Sequence, residues 1–100
     1  MRIIHNTSYI INNDLENKWV AFMQKHYISV LRANELCRDI IFTKVSIDQP
    51  DGKTYSLQLV FDTEEQLNCF LENRLPELEE KLICDYANQY VCFSSVLTEI

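Results

Sequence analysis

The fold is decided by the stretch Lys53-Thr54-Tyr55-Ser56-Leu57-Gln58-Leu59-Val60-Phe61. Large apolar residues occupy every second position of this stretch, at Tyr55, Leu57, Leu59 and Phe61. The positions between them hold smaller or more polar residues, at Thr54, Ser56, Gln58 and Val60. A period of two is the period of a β-strand whose side chains point alternately to opposite faces. The stretch therefore predicts a strand with one face on a core and one face outside it.

A turn and a further strand precede this stretch. The cluster Gln49-Pro50-Asp51-Gly52 predicts a tight turn, because proline presets φ and glycine accepts a positive φ. Residues 39–48 predict the strand before the turn, with apolar side chains at Ile40, Ile41, Phe42, Val45 and Ile47. The two strands should form a hairpin.

Two helical patterns flank the hairpin. The first follows Asn12-Asn13-Asp14, which supplies a turn and an N-cap, and its apolar residues recur at steps of three and four, at Leu15, Trp19, Phe22, Met23, Val30 and Leu31. The second follows Asp62-Thr63-Glu64-Glu65, with its apolar stripe at Leu67, Phe70, Leu71, Leu75, Leu78, Leu82 and Ile83. Pro76 interrupts the second pattern, so a kinked helix and two abutting helices both remain open.

Residues 3–11 and 90–99 predict the remaining two strands, since both are rich in β-branched and aromatic residues. The order is then β-α-β-β-α-β, the plan of a ferredoxin-like α+β fold. We expect a single domain over residues 1–100, with a four-stranded antiparallel sheet. Right-handed crossovers would place two helices on one face of that sheet, as a two-layer sandwich. The other face would stay open.

The open face is the predicted interaction surface. By alternation, it should hold three residues of the first strand and three of the third, namely Asn6, Ser8, Ile10, Ser56, Gln58 and Val60. The same reasoning adds residues of the second and fourth strands, namely Phe42, Lys44, Cys92, Ser94 and Val96. The candidates for interface contacts are Asn6, Ser8, Lys44, Ser56, Gln58 and Val60. Such a mixed face suits a homodimer or another protein partner.

Composition argues against several functional classes. The chain has a net charge of −6, and residues 62–85 carry eight acidic side chains against two basic ones. Nucleic-acid binding needs a basic face, so we expect no nucleic-acid partner. The longest apolar run, from Trp19 to Met23, has five residues, which predicts no membrane span. The beginning of the sequence does not have the pattern of a secretory signal, so we expect a cytoplasmic protein.

The four cysteines have no spacing typical of a metal or redox site. They are Cys37, Cys69, Cys84 and Cys92, with no C-x-x-C pair and no histidine at zinc-ligand spacing. We expect no metal, no cofactor and reduced thiols that fill the core.

His26 is the candidate for chemistry. At 100° per residue it falls at the centre of the first helical stripe, so it should point at the sheet. Together with Trp19 and Tyr27 it could line a ligand pocket, where imidazole acts as a base or an anchor. The alternative is a neutral core histidine. His5, in the first strand, is expected to be structural, and the sequence identifies no catalytic residue.

Several segments together resemble a family of short bacterial proteins of unknown function. They are Ile3-Ile4-His5-Asn6, Trp19 with Phe22-Met23 and His26, Thr54-Tyr55-Ser56-Leu57-Gln58, and Val96-Leu97-Thr98-Glu99-Ile100. The chain departs from the family pattern at Tyr27-Ile28, where Ile-Pro is typical, and at Glu35, where a glycine is typical. The resemblance implies a ferredoxin-like domain of the dimeric α+β barrel type and brings no activity with it.

These observations favour a non-enzymatic module that forms a homodimer, or binds a protein partner, through the open sheet face. The alternative is a cofactor-independent, oxygenase-like enzyme of the dimeric α+β barrel type, with its pocket near His26.

Overall fold

The computed structural model describes residues 1–45, 52–86 and 89–100. Four strands form one antiparallel sheet in the order β2-β3-β1-β4, and they are β1 (Ile3–Ile11), β2 (Asp39–Lys44), β3 (Lys53–Phe61) and β4 (Tyr90–Thr98). The helices are α1 (Glu16–Phe22), α2 (Ser29–Ala33), α3 (Glu64–Asn73) and α4 (Leu75–Tyr86). A 3-10 turn, Asn13–Leu15, precedes α1, and a π-helical stretch, Met23–Ile28, joins α1 to α2. The predicted ferredoxin-like α+β fold is confirmed.

The central pair of strands, β1 and β3, fixes the two faces of the sheet. Ile3 lies opposite Phe61, and the pairing continues without a break to Ile11 opposite Lys53. Residues opposite each other in an antiparallel pair point to the same face. The inward residues of β1 and the apolar residues of β3 therefore point to the same face, the one that the helices cover. The burial pattern of β1 agrees, because every second residue from His5 to Ile11 is buried.

Trp19 is the centre of the core. It is 0% exposed, and its ring lies 5.2 Å from that of Tyr9, 5.2 Å from that of Tyr55 and 5.8 Å from that of Phe42. Tilted aromatic pairs at these distances add about 0.5–1.5 kcal/mol each beyond the area they bury. One side chain of α1 thus holds the first helical segment against three strands.

The π-helical stretch changes which residues face the core. A π turn adds one residue to the helical repeat, so the buried stripe moves one position along the chain. Tyr27 and Leu31 are buried, whereas His26 and Val30 are exposed. The prediction that His26 points at the sheet is therefore wrong.

The facing predicted for the two edge strands is also wrong. Phe42 lies opposite Leu57, and Lys44 lies opposite Tyr55, so both are on the helix side. Three predicted open-face residues of β4 are on the helix side as well, namely Cys92, Ser94 and Val96. Apolar residues fall at both parities in β2 and β4, so alternation alone could not decide their facing.

The region around Pro76 consists of two abutting helices. Helix α3 ends at Asn73, Arg74 has φ −116° and ψ −40°, and α4 begins at Leu75. Pro76 thus occupies the first turn of α4, where its missing N–H leaves no helical bond unmade. At the other end of α3, the Thr63 side chain accepts a hydrogen bond from the Gln66 backbone N–H at 3.2 Å.

The predicted hairpin turn lies outside the described residues, apart from Gly52, as do residues 46–48 of the predicted second strand. At Gly52 the backbone passes close to the end of β1. A Cβ atom there would lie 2.8 Å from the carbonyl oxygen of Ile11, which only glycine avoids.

The end of α2 requires a left-handed residue. The Leu36 backbone N–H donates to the Leu31 carbonyl at 3.2 Å, a bond that closes the helix end, and Glu35 has a φ of 49°. This conformation brings Cβ close to the following carbonyl and costs a non-glycine residue about 1–2 kcal/mol.

Replacing Glu35 with glycine should stabilise the protein. We expect a gain of about 0.5–1 kcal/mol in the free energy of unfolding, because relief of the strained φ exceeds the added chain entropy of glycine. Urea denaturation of Glu35→Gly and Glu35→Ala measures it. Alanine removes the same charge and keeps Cβ, so an equal gain in both variants would contradict the backbone explanation.

Candidate functional site

The open face of the sheet is almost free of charge. The strand registers place fifteen described residues on it, and Asp39 is the only charged one. They are Asp39, Ile41 and Thr43 of β2, Thr54, Ser56, Gln58 and Val60 of β3, Ile4, Asn6, Ser8 and Ile10 of β1, and Val91, Phe93, Ser95 and Leu97 of β4. Charged residues make up 24% of the whole chain, so this surface differs from the average.

Large apolar side chains project from both edges of this face. On β4, Phe93 is 63% exposed, Val91 53% and Leu97 43%, and on β2 Ile41 is 41% exposed. The middle strands carry polar groups between them. There the Ser56 hydroxyl donates to the Asn6 side-chain oxygen at 3.0 Å. The face thus has apolar margins and a neutral polar centre.

Five of the six predicted interface residues lie on this face. Asn6, Ser8, Ser56 and Gln58 are partly buried there. Val60 is also on this face, but it is only 2% exposed and offers a partner little surface. The exposed apolar residues of β4 were missed because the facing of β4 was predicted with the wrong parity.

Lys44, the sixth predicted interface residue, belongs to a polar cluster on the helix side. Its ammonium group lies 2.8 Å from the Glu16 carboxylate, which also accepts a hydrogen bond from the Tyr55 hydroxyl at 2.6 Å. The hydrogen bonds from Lys44 and Tyr55 hold the pKa of Glu16 below its ordinary value. Burial and the bond to Glu16 raise the pKa of Tyr55 to about 12. The cluster ties β2 and β3 to α1.

The three predicted ligand-pocket residues occupy different environments. Trp19 is fully buried, and its indole N–H has no acceptor among the described residues. Tyr27 is 3% exposed, and burial raises its pKa. His26 is exposed and lines a shallow surface groove with Lys18, Ala21, Phe22, Lys25 and Tyr86. Neither Trp19 nor Tyr27 lines the groove beside His26.

A separate cavity lies at the end of the sheet, between β1, β4 and the first turns of α3. It has a volume of about 200 Å³ and is lined by Met1, Ile3, Glu64, Leu67, Val96 and Thr98. His5 is not part of this lining; it lies two residues along β1 from Ile3 and directly opposite Val96 on β4.

His5 is a buried titratable group. The residue is 6% exposed. Burial lowers its pKa, because a charged imidazolium would lose its hydration. The sequence feature that could have identified this residue is a histidine at an inward-facing position of a strand.

The pH dependence of stability should report on His5. Its lowered pKa means that the folded state binds its proton less readily than the unfolded state, so stability falls as the pH drops through about 6.5 and below. We expect His5→Leu to lose less unfolding free energy than the wild type between about pH 7.5 and about pH 5.5. Urea denaturation at both values measures it.

His26→Leu is the control for this comparison, since it removes the exposed histidine. It should retain the wild-type pH dependence. Equal pH dependence in His5→Leu and the wild type would contradict the role assigned to the buried imidazole.

The expectation that the cysteine thiols fill the core is wrong for two of the three described cysteines. Cys37 is half-buried and burial raises its pKa to about 11, but Cys69 and Cys92 are exposed and do not fill the core. The described residues contain no group of three or more histidine, cysteine or acidic side chains placed to hold a metal ion. Within the same residues, no helix is long and apolar enough to cross a membrane.

The model of a family described as a domain of unknown function, DUF4286, matches residues 2–100. The chain belongs to this family. No protein of curated function is detectably similar to it in sequence.

Solved structures share the fold at low identity. An EthD family protein from Bacillus halodurans superposes with a TM-score of 0.70 at 11% identity, over 98% of this chain and 99% of its own. A NIPSNAP-like domain protein from Burkholderia xenovorans has a TM-score of 0.69 at 14% identity, over 99% and 85%. A Bacillus cereus protein described as an antibiotic biosynthesis monooxygenase has a TM-score of 0.62 at 9% identity, over 99% and 95%. These likenesses establish the ferredoxin-like architecture of the chain and no activity for it.

Proposed function

We propose that the protein is a homodimerisation module in which the open sheet faces of two copies pack against each other. The observation that supports this most strongly is the row of exposed apolar residues on β4: Val91, Phe93 and Leu97. Contiguous exposed apolar surface is uncommon on monomeric proteins and typical of interaction sites.

Charge favours a second copy as the occupant. The chain carries a net charge of −6, so two copies repel each other at most approaches. Within the four described strands, Asp39 is the only charged residue on the open face, and it lies at the end of edge strand β2. Face-to-face packing therefore brings together the two surfaces between which that repulsion is weakest.

The size of the face fits a stable interface. Strands about 4.8 Å apart that rise about 3.4 Å per residue give a four-stranded face of roughly 500 Å² in projection. Side-chain relief enlarges this area towards the ~800 Å² per partner of a standard interface.

The polar groups of the face are compatible with burial in such a dimer. Asn6 and Ser56 already form a hydrogen bond within one copy. Gln58 and Ser95, also on this face, can donate to and accept from the partner copy, because amide and hydroxyl groups do both. Hydrogen bonds between the neutral polar centres would then fix how the two sheets are oriented relative to each other.

Two valines on β4 provide a matched test. Val91 is 53% exposed on the open face, and Val96 is 52% exposed on the helix side of the same strand. Sedimentation equilibrium of the wild type should give about twice the chain mass of 11.8 kDa. Val91→Lys should weaken dimerisation about a hundredfold, because it buries an unpaired charge. Val96→Lys should leave the dimer intact.

Three results would contradict the proposal. A wild type that is monomeric at every concentration would leave the face to a different partner. Equal dissociation of both variants would show a nonspecific effect of charge on β4. Dissociation by Val96→Lys alone would place the contact on the helix side of the sheet.

A further inference from the structure

The outer edge of β4 is long and neutral. Its nine residues, from Tyr90 to Thr98, include no charged residue, proline or glycine. Among the described strands, β4 has a neighbour on one side only, which is β1. The opposite edge strand, β2, has six residues and carries a charge at each end, at Asp39 and Lys44. Edge strands are usually short, charged or interrupted, because a long neutral edge allows another strand to pair with it.

The hydrogen bonds to β1 show which backbone groups of β4 point outward. The Glu99 backbone N–H donates to the Arg2 carbonyl at 2.9 Å, and the register between β1 and β4 places these two residues opposite each other. Bonded and non-bonded pairs alternate along an antiparallel ladder, so the odd-numbered residues of β4 bond to β1. The even-numbered residues direct their N–H and C=O groups to the outer edge, and they are Tyr90, Cys92, Ser94, Val96 and Thr98.

The side chains of β4 are accessible on both faces of the sheet. On the helix side, the even-numbered side chains from Cys92 to Thr98 are exposed, and Val96 is 52% exposed. On the open face, Phe93 is 63% exposed. A strand added along this edge would therefore contact side chains of β4 on both faces, in addition to forming backbone hydrogen bonds.

Two carboxylates flank the β4 edge on the helix side. Glu64, at the start of α3, lines the cavity at the end of the sheet together with Val96 and Thr98. Glu79, on α4, lies near Cys92, since burial of the thiol and the charge of Glu79 together raise the pKa of Cys92. Both glutamates are exposed. From Cys92 to Val96, the strand rises by about 14 Å, which gives the spacing of the two acidic positions along the edge.

These charges favour a basic partner over a second copy of the chain. Two β4 strands paired antiparallel about Ser94 would place Cys92 opposite Val96 of the second copy. Glu79 of one copy would then lie beside Glu64 of the other, twice by symmetry, and like charges repel. A strand that carries cations at these two positions would be attracted instead.

We propose that the β4 edge binds an extended segment of another protein, which adds a fifth strand to the sheet and carries lysine or arginine at two positions four residues apart. Positions four apart on a strand share a face, so one cation would lie near Glu79 and the other near Glu64. The side chains between them would point to the open-face side, where apolar residues fit next to Phe93. Backbone hydrogen bonds would supply affinity, and the two ion pairs would supply specificity.

The probe for the test is the peptide Thr-Val-Lys-Val-Thr-Val-Lys-Val-Thr, acetylated at one end and amidated at the other. Its sequence is the same in both directions, so parallel and antiparallel pairing place the lysines alike. Hydrogen exchange followed by NMR should show that the peptide protects the outward N–H groups of Cys92, Ser94 and Val96. The amides of Phe93 and Ser95 bond to β1 in the free protein, so their exchange should change little.

Charge variants test the two ion pairs. A second peptide, with glutamate in place of both lysines, should bind at least about tenfold more weakly than the first. Glu64→Gln and Glu79→Gln should each weaken binding of the lysine peptide about threefold. Glu35→Gln is the matched control, because Glu35 lies beside β2 at the opposite edge of the sheet. It should bind the lysine peptide as the wild type does.

A proline variant tests the backbone pairing. Cys92→Pro removes one outward N–H and leaves the bonds to β1 in place, so the protein should fold. It should bind the lysine peptide about fivefold more weakly, because one backbone hydrogen bond is lost. Cys92→Ala keeps the N–H and should bind as the wild type does.

The inference would be overturned by any of three results. The first is a lack of saturable protection of the outward amides by the lysine peptide. The second is equal binding of the lysine and glutamate peptides. The third is protection that rises with protein concentration when no peptide is present, which would identify a second copy as the occupant of the edge. These measurements report on the edge of the sheet and the dimer proposal concerns its open face, so each can fail separately.

Discussion

The register between β1 and β3 is the constraint on which the rest of the structure depends. Side chains alternate along a strand, so a slip of one residue would exchange the core row of β1 for its open-face row. The register is held by the pair Tyr9 and Tyr55, which lie opposite each other and both contact Trp19. A single indole therefore links the pairing of the central strands to the docking of α1. The edge strands inherit their facing from this pair.

The features predicted correctly were those with a strong local pattern. The alternation of β3 gave its facing, and the three- and four-residue spacing gave the helices, because burial on one side imposes those periods on the sequence. In β4, by contrast, the residues on both sides are exposed, and apolar residues such as Phe93 and Val96 occur at both parities. Its facing follows only from pairing with β1, which is a long-range contact.

His26 shows a second limit of sequence reasoning. Projection at 100° per residue assumes a regular α-helix, and residues 23–28 form a π turn instead. The inserted residue rotates the chain so that Tyr27 takes the buried place expected for His26. The sequence contains no glycine or proline in this stretch that would announce the change. His5, expected to be structural, is the buried histidine.

The open face of the sheet and its β4 edge thus have separate proposed roles. The partly apolar outer face is suited to another copy, and on the inner side a cavity lined by Ile3, Leu67 and Val96 lies between the sheet and α3. Since a sheet is one layer thick, an interface on one side leaves the other accessible. Structures of low sequence identity share the fold, so the proposed roles depend on residues particular to this chain.

The central claim is that two open faces cover each other, and a mixed sample of isotope-labelled and unlabelled chains tests it most directly. An isotope-filtered NOE experiment detects proton contacts between copies only. The account predicts contacts from the Phe93 ring of one copy to open-face side chains of the other. A lack of such contacts in a dimeric sample, or contacts only to helix-side residues such as Val96, would contradict it.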